Sequence, residues 1–114
     1  MIALKDILYK VTLNAVVGST SVNVHAVNFD SRKIEKDHLF VAIRGLVADG
    51  HDYIETAIKK GATSVVCESL PKKLDDNVTY VEVDNSNKAL AIIASNFYEN
   101  PSKNIRLVGV TGTN

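Results

Sequence analysis

Apolar and polar positions change their period repeatedly along the chain. Leu4, Ile7, Leu8 and Val11 recur at i, i+3, i+4 and i+7, one face of a short amphipathic helix. Gly18-Ser19-Thr20-Ser21 follows as a turn. Val22, Val24 and Ala26 then alternate with Asn23 and His25, the period of a half-buried strand. Val27 and Phe29 break that phase, which predicts either a bulge or a new strand starting at about Ala26.

Leu39-Phe40-Val41-Ala42-Ile43 is apolar throughout, as in a strand covered on both faces. Arg44-Gly45 ends it, and a loop over residues 46–50 leads to a helix predicted over 51–60. Tyr53, Ile54, Ala57 and Ile58 give that helix its apolar face, and Gly61 suits the position just past its end. Thr63-Ser64-Val65-Val66-Cys67 reads as a strand, 71–77 as a polar connector, and Val78, Tyr80, Val81 and Val83 as another strand. Asp84-Asn85-Ser86 supplies helix-capping chemistry ahead of Leu90, Ile93, Ala94 and Phe97. Pro101 blocks continuation beyond about Tyr98, and a last strand is predicted over 105–110. Strands alternating with helices predict an α/β domain, a small mixed or parallel sheet flanked by helices.

Composition narrows the function classes. The 114 residues are 46% hydrophobic and 23% charged, a globular balance that argues against disorder. Thirteen basic residues balance thirteen acidic ones, so no broad field draws the chain to nucleic acid or an anionic membrane. The single cysteine, Cys67, excludes an internal disulfide and a multi-cysteine zinc site, and its apolar strand predicts inert core. His25, His38 and His51 lack ligand-like spacing, so no metal is expected. No apolar run approaches the ~20 residues of a membrane span. Lys5, Asp6 and Lys10 interrupt the start, unlike a secretory signal. A soluble, reducing, cytoplasmic setting is expected.

The end of the chain carries the first chemical hint. A hydrophobic strand runs into Gly109-Val110-Thr111-Gly112-Thr113-Asn114, the way a phosphate-binding loop begins. The Walker lysine and its Ser/Thr are not among these residues, and a plain strand followed by a small-residue turn fits them too. A phosphate loop cut at this point would belong to a larger protein.

Taken with the upstream sequence, the pattern resembles the Mur ligase family. Leu107 to Asn114 is similar to the opening of the family's ATP loop, normally completed by Gly-Lys-Thr. Phe29-Asp30-Ser31-Arg32 resembles its Asp-Ser-Arg signature. Asp37-His38-Leu39-Phe40-Val41-Ala42 resembles Gly-Asp-Leu-Phe-Val-Ala, with His38 in place of the aspartate. Gly45, Ala48-Asp49-Gly50-His51, Tyr53-Ile54, Ala57-Ile58, Gly61-Ala62, Phe97-Tyr98 and Pro101-Ser102 continue the likeness, which spans about residues 4–114.

The resemblance implies a Mur ligase-like N-terminal domain over 1–103 that holds the UDP end of a nucleotide sugar. It implies that 104–114 open a central ATPase domain, with Gly112, Thr113 and Asn114 in an incomplete ATP loop. The branch it favours adds the third stem-peptide residue, meso-diaminopimelate or L-lysine, to UDP-N-acetylmuramoyl-L-alanyl-D-glutamate in peptidoglycan synthesis. ATP and Mg2+ serve the whole enzyme, no catalytic residue falls in this segment, and the segment alone is expected to be inactive. A D-alanyl-D-alanine-adding ligase of the same family is the alternative. A nonenzymatic nucleotide-binding module ending at Asn114 is another, and a stop codon after Asn114 would favour it over Gly-Lys-[Thr/Ser].

The site residues implied are Phe29, Ser31, Arg32, Leu46, Val47 and Ala48. A hydroxyl beside a backbone N–H at a strand end suits uracil and phosphate oxygens, although Ser31 is also an ordinary turn residue. Phe29 lines the pocket, and core packing is a compatible reading. Arg32 pairs with the diphosphate, or with Asp30 or Asp49. Leu46, Val47 and Ala48 wrap the uracil through backbone groups, or form a surface loop. Asp30 is expected to organise its turn. Asp49-Gly50-His51-Asp52 reads as turn and cap chemistry, with Gly50 at positive φ and Asp49 or Asp52 capping.

Overall fold

The computed structural model describes residues 2–45 and 48–99 of the chain. Leu46, Val47, Pro101, the strand predicted over 105–110 and the ATP-loop residues Gly112, Thr113 and Asn114 lie outside them.

In chain order the elements are β1 (Ile2–Ala3), α1 (Leu4–Ile7), β2 (Ala15–Val17), β3 (Asn23–Val24), β4 (Ala26–Asn28), β5 (His38–Val41), α2 (Ile54–Lys59), β6 (Ser64–Cys67), β7 (Thr79–Glu82) and α3 (Ser86–Tyr98). Short 3-10 turns, Ser31–Lys33 and Gly50–Tyr53, follow β4 and precede α2. Five strands form one sheet in the order β2-β7-β6-β5-β4. β4, β5, β6 and β7 are parallel, and β2 runs antiparallel along β7. The sheet is therefore mixed, with β1 and β3 as a separate antiparallel pair.

The period of two in the strands builds two cores. Leu39, Val41, Val66, Val81 and Val83 face α1 and α3, where Leu4, Ile7, Ile93 and Phe97 meet them. Phe40, Ala42, Val65, Cys67, Val78 and Tyr80 face the opposite way, toward Ile54 and Ala57 of α2. All four residues of β5 and of β6 are buried, which is why Leu39–Ile43 reads as an apolar run and Thr63–Cys67 as a β-branched strand, with His38 and Ser64 as the buried polar members. Cys67 is fully buried, and burial together with the nearby Glu82 pushes its thiol up to about 11. That environment suits packing and not nucleophilic chemistry.

Three expectations shift. The first helix is one turn, Leu4–Ile7, because the chain turns at Lys10 with φ of 68°. Its apolar face survives: Leu4, Ile7 and Leu8 are buried and Val11 packs partly against them. The phase break at Ala26 is a new strand, since β3 and β4 belong to different sheets. β2 was not foreseen, because three residues at a sheet edge, two of them exposed, show no alternation.

The caps fall where the sequence put them. Asn85 accepts a hydrogen bond from the Lys88 N–H at 3.0 Å and starts α3. Gly61, at φ of 121°, ends α2, and its carbonyl accepts from the Asp37 N–H at 3.0 Å. Asp37 itself sits at φ of 64°, where the family pattern has glycine. Aspartate is among the few side chains that tolerate this region. His38 closes the same turn, its Nδ1 accepting from the Glu35 N–H at 3.2 Å.

Candidate functional site

β4 and β5 lie side by side and point their carboxyl ends the same way. Ligand sites in open α/β sheets lie outside such ends. Here the segment after β4 and the segment after β5 wall a cleft of about 470 Å³. That volume is within the range of small-molecule sites, ~300–1,000 Å³.

The first wall is set by Asp30. Its Oδ1 accepts from the Arg32 N–H at 2.9 Å and caps the Ser31–Lys33 turn. The Arg32 guanidinium grips the same carboxylate twice, Nε to Oδ1 at 3.0 Å and Nη2 to Oδ2 at 2.9 Å. These side-chain bonds, then the Arg32 N–H, hold the Asp30 carboxyl down at about 2, and the pairing raises the Arg32 guanidinium. Of the pairings expected for Arg32, the one with Asp30 forms. Arg32 remains on the cleft wall, and two of its five N–H donors are spent on Asp30.

A pH prediction follows from the depressed carboxyl. The group is ionised in the fold well below the ordinary carboxylate pKa, so its contribution is complete above about pH 4. It is lost as pH falls through about 2. The Arg32 amide resonance is expected to titrate with a midpoint near that value, followed in two-dimensional amide spectra. A midpoint at the ordinary aspartate value would contradict the pairing.

Ser31 is 9% exposed and lines the cleft, while Phe29 is 61% exposed at the same wall. Core packing, the bland expectation for Phe29, is thereby overturned: its ring stands at a cleft rim. Ala48 joins from the second wall with Ile43, Gly45 and Gly50. Four of the six expected site residues, Phe29, Ser31, Arg32 and Ala48, thus meet in one cleft. Sequence reasoning missed Tyr53 and Phe40, which also line it. Tyr53 was assigned to a helix face, but it ends a 3-10 turn and is 44% exposed. An aromatic one turn beyond the Asp-Gly-His motif was the available signal.

The second wall is a hairpin-like excursion from β5. The Gly45 N–H donates to the Ala48 carbonyl at 2.9 Å and the Gly50 N–H to the Ile43 carbonyl at 2.7 Å. Asp49 caps the following turn, its Oδ1 accepting from the His51 N–H at 2.9 Å. That bond and the imidazole hold its carboxyl below the usual range. Gly50 is not at positive φ, contrary to expectation. Its requirement is space, because an added Cβ would lie 2.6 Å from the Ile43 nitrogen.

A second cleft, about 460 Å³, lies between α2 and residues 71–75 and contains none of the expected site residues. Among the described residues no helix is long and apolar enough to cross a membrane.

The pattern described as "Mur ligase family, catalytic domain" matches residues 23–98. The chain belongs to the Mur ligase family. A UDP-N-acetylmuramoyl-L-alanyl-D-glutamate–2,6-diaminopimelate ligase of Cytophaga hutchinsonii is 53% identical over 112 residues, 97% of this chain and 23% of that protein. The chain therefore spans under a quarter of that Mur ligase's length. A crystal structure of MurF from Acinetobacter baumannii superposes with a TM-score of 0.68 at 16% identity, covering 90% of this chain and 22% of that one. This likeness establishes the Mur ligase fold, a five-stranded, mostly parallel sheet flanked by helices. MurF ligase from Thermotoga maritima in complex with ADP matches with a TM-score of 0.56 at 28% identity, over 66% of this chain and 17% of that chain.

Proposed function

We propose that this chain is the UDP-sugar-binding domain, residues 1–103, of an ATP-dependent ligase that extends UDP-N-acetylmuramoyl-L-alanyl-D-glutamate in peptidoglycan synthesis. The amino acid added is 2,6-diaminopimelate, as in the name of the Cytophaga relative. The convergence of Phe29, Ser31, Arg32 and Ala48 on one cleft carries the reading. Phe29 and Tyr53 offer exposed rings to a base, Ser31 a neutral donor, and Arg32 its remaining N–H groups to the diphosphate. Leu46 and Val47, outside the described residues, are assigned to contact the uracil through backbone groups.

ATP and Mg2+ serve the phosphoryl-transfer step in the whole enzyme. ATP would be held in part by Gly112, Thr113 and Asn114, which lie outside the described residues. The setting is cytoplasmic, where the nucleotide-sugar substrate is made and used.

Isothermal titration with UDP-N-acetylmuramoyl-L-alanyl-D-glutamate tests the assignment. A hydrogen bond from Ser31 to a charged phosphate oxygen is worth about 1.5–3 kcal/mol, so Ser31→Ala is expected to weaken binding ~10- to 100-fold. An unchanged Kd removes Ser31 from the site. Failure of the chain and of the full product of its gene to bind any UDP compound overturns the assignment.

A further inference from the structure

Outside the lining of the cleft, two side chains, His51 and Glu68, link three segments. His51 is largely buried, with 13% of its side chain exposed. Its Nε2 accepts from the Glu68 N–H at 2.8 Å, at the end of β6. That bond requires an unprotonated Nε2, so Nδ1 carries the proton and donates to Asp49 Oδ1 at 2.7 Å. Asp49 stands on the returning leg of the excursion, bridged to Arg44 on the outgoing leg. Arg44 Nε lies 3.5 Å from Glu68 Oε1 and 3.8 Å from Asp49 Oδ2. Glu68 Oε2 in turn accepts from the Ser86 N–H at 2.8 Å, at the start of α3. The excursion is thus tied to the sheet and to α3 through the imidazole and the Glu68 carboxylate.

We propose that His51 is a positioning residue for nucleotide binding: the Asp49–His51–Glu68 brace holds both legs of the 43–50 excursion in the shape that walls the cleft. The proposal rests on that cleft being the UDP-sugar site. His51 does not line the cleft. Its effect on a ligand therefore passes through Ile43, Gly45, Ala48 and Gly50, which do. The two described legs are joined by two backbone bonds, and any parting of the legs subtracts from the binding-competent population. The brace adds fixed partners to the returning leg at Asp49, and Arg44 extends them to the outgoing leg. Because imidazole uses both nitrogens, a side chain with a single polar atom cannot replace it.

The test uses the 15N-labelled 114-residue chain, with UDP as the probe. His51→Phe keeps a planar ring and removes both hydrogen bonds, whereas His51→Gln retains an acceptor for the Glu68 N–H. In His51→Phe the Gly45 and Gly50 amides are expected to exchange faster without ligand. The Kd for UDP is expected to rise about tenfold, as when the competent loop population falls to about a tenth. His51→Gln is expected to recover part of the loss. A lower unfolding midpoint with Kd and both exchange rates unchanged overturns the proposal, since a merely stabilising side chain would behave that way. If His51→Phe does not fold, His51→Gln is read alone, and a Kd within about twofold of wild type overturns it. If UDP moves no wild-type amide at Ser31, Gly45, Ala48 or Gly50, the cleft assignment fails, and the ligand-free exchange rates alone decide whether the brace exists.

Discussion

Phe40→Ala is expected to cost about 3–5 kcal/mol of folding stability, the range for deleting a buried phenylalanine ring. Phe40 is 1% exposed at the middle of β5, between β4 and β6. It supplies much of the bulk on its face of the sheet, where Ala42, Ala57 and Ala62 share the same core. Small neighbours held just past a strand, on a helix and past a helix end have little reach to close the void. The expected loss is a large share of the ~5–15 kcal/mol that holds a typical domain together. Urea unfolding should show a lower midpoint with the slope retained. Phe40→Leu, which fills most of the space, should cost much less. Equal losses for the two variants would mean that ring volume is not what Phe40 contributes. Because Phe40 also lines the cleft, the alanine variant should bind UDP compounds poorly even where it remains folded.

The face of the sheet that Phe40 serves was legible because burial on both sides leaves few polar residues in the central strands, His38 and Ser64 being the exceptions. β5 announced itself as an apolar run for that reason, and β6 as a β-branched cluster. α3 was legible from both its apolar face and Asn85, whose capping bond forms as its chemistry dictates. β2 left no such trace. Its three residues take their conformation from pairing with β7, a partner more than sixty residues away in sequence. The split between β3 and β4 was half legible: the phase break was visible, but the separation into two sheets depends on long-range pairing.

The cleft shows the same division. Asp30, Ser31 and Arg32 were readable as a turn with polar chemistry, and the family pattern marked them for UDP. That Arg32 would choose Asp30 was undecided in the sequence, because Asp30 and Asp49 were both available. Proximity decided it: two residues apart on a 3-10 turn, Asp30 receives the backbone N–H and the guanidinium of the same residue. His51 was unreadable in its actual role. The atom that fixes its tautomer is the backbone N–H of Glu68, and any residue except proline would present one.

Gly50→Ala is expected to damage the cleft more than the fold. The added Cβ would lie 2.6 Å from the Ile43 nitrogen, 2.9 Å from its carbonyl oxygen and 3.1 Å from the Ala42 Cα. All three are backbone atoms, so no rotamer change relieves the overlap. The legs must part, and the first bond strained is the 2.7 Å contact from the Gly50 N–H to the Ile43 carbonyl. Overpacking of this kind costs about 1–3 kcal/mol in stability. Binding should suffer further, because both legs line the cleft and a displaced wall leaves Ala48 out of register with Ser31 across it. A rise in Kd for UDP of at least about tenfold is expected, as when the competent loop is populated a tenth of the time. Gly45→Ala is the internal comparison. Its Cβ would meet a single atom, the Ala48 carbonyl oxygen, at 3.0 Å, an overlap that a small shift of one leg relieves. The Gly50 variant should therefore lose more affinity than the Gly45 variant although both sit in the same excursion. Wild-type affinity in Gly50→Ala would mean that the spacing of the legs does not shape the site, and would detach the 43–50 excursion from nucleotide binding.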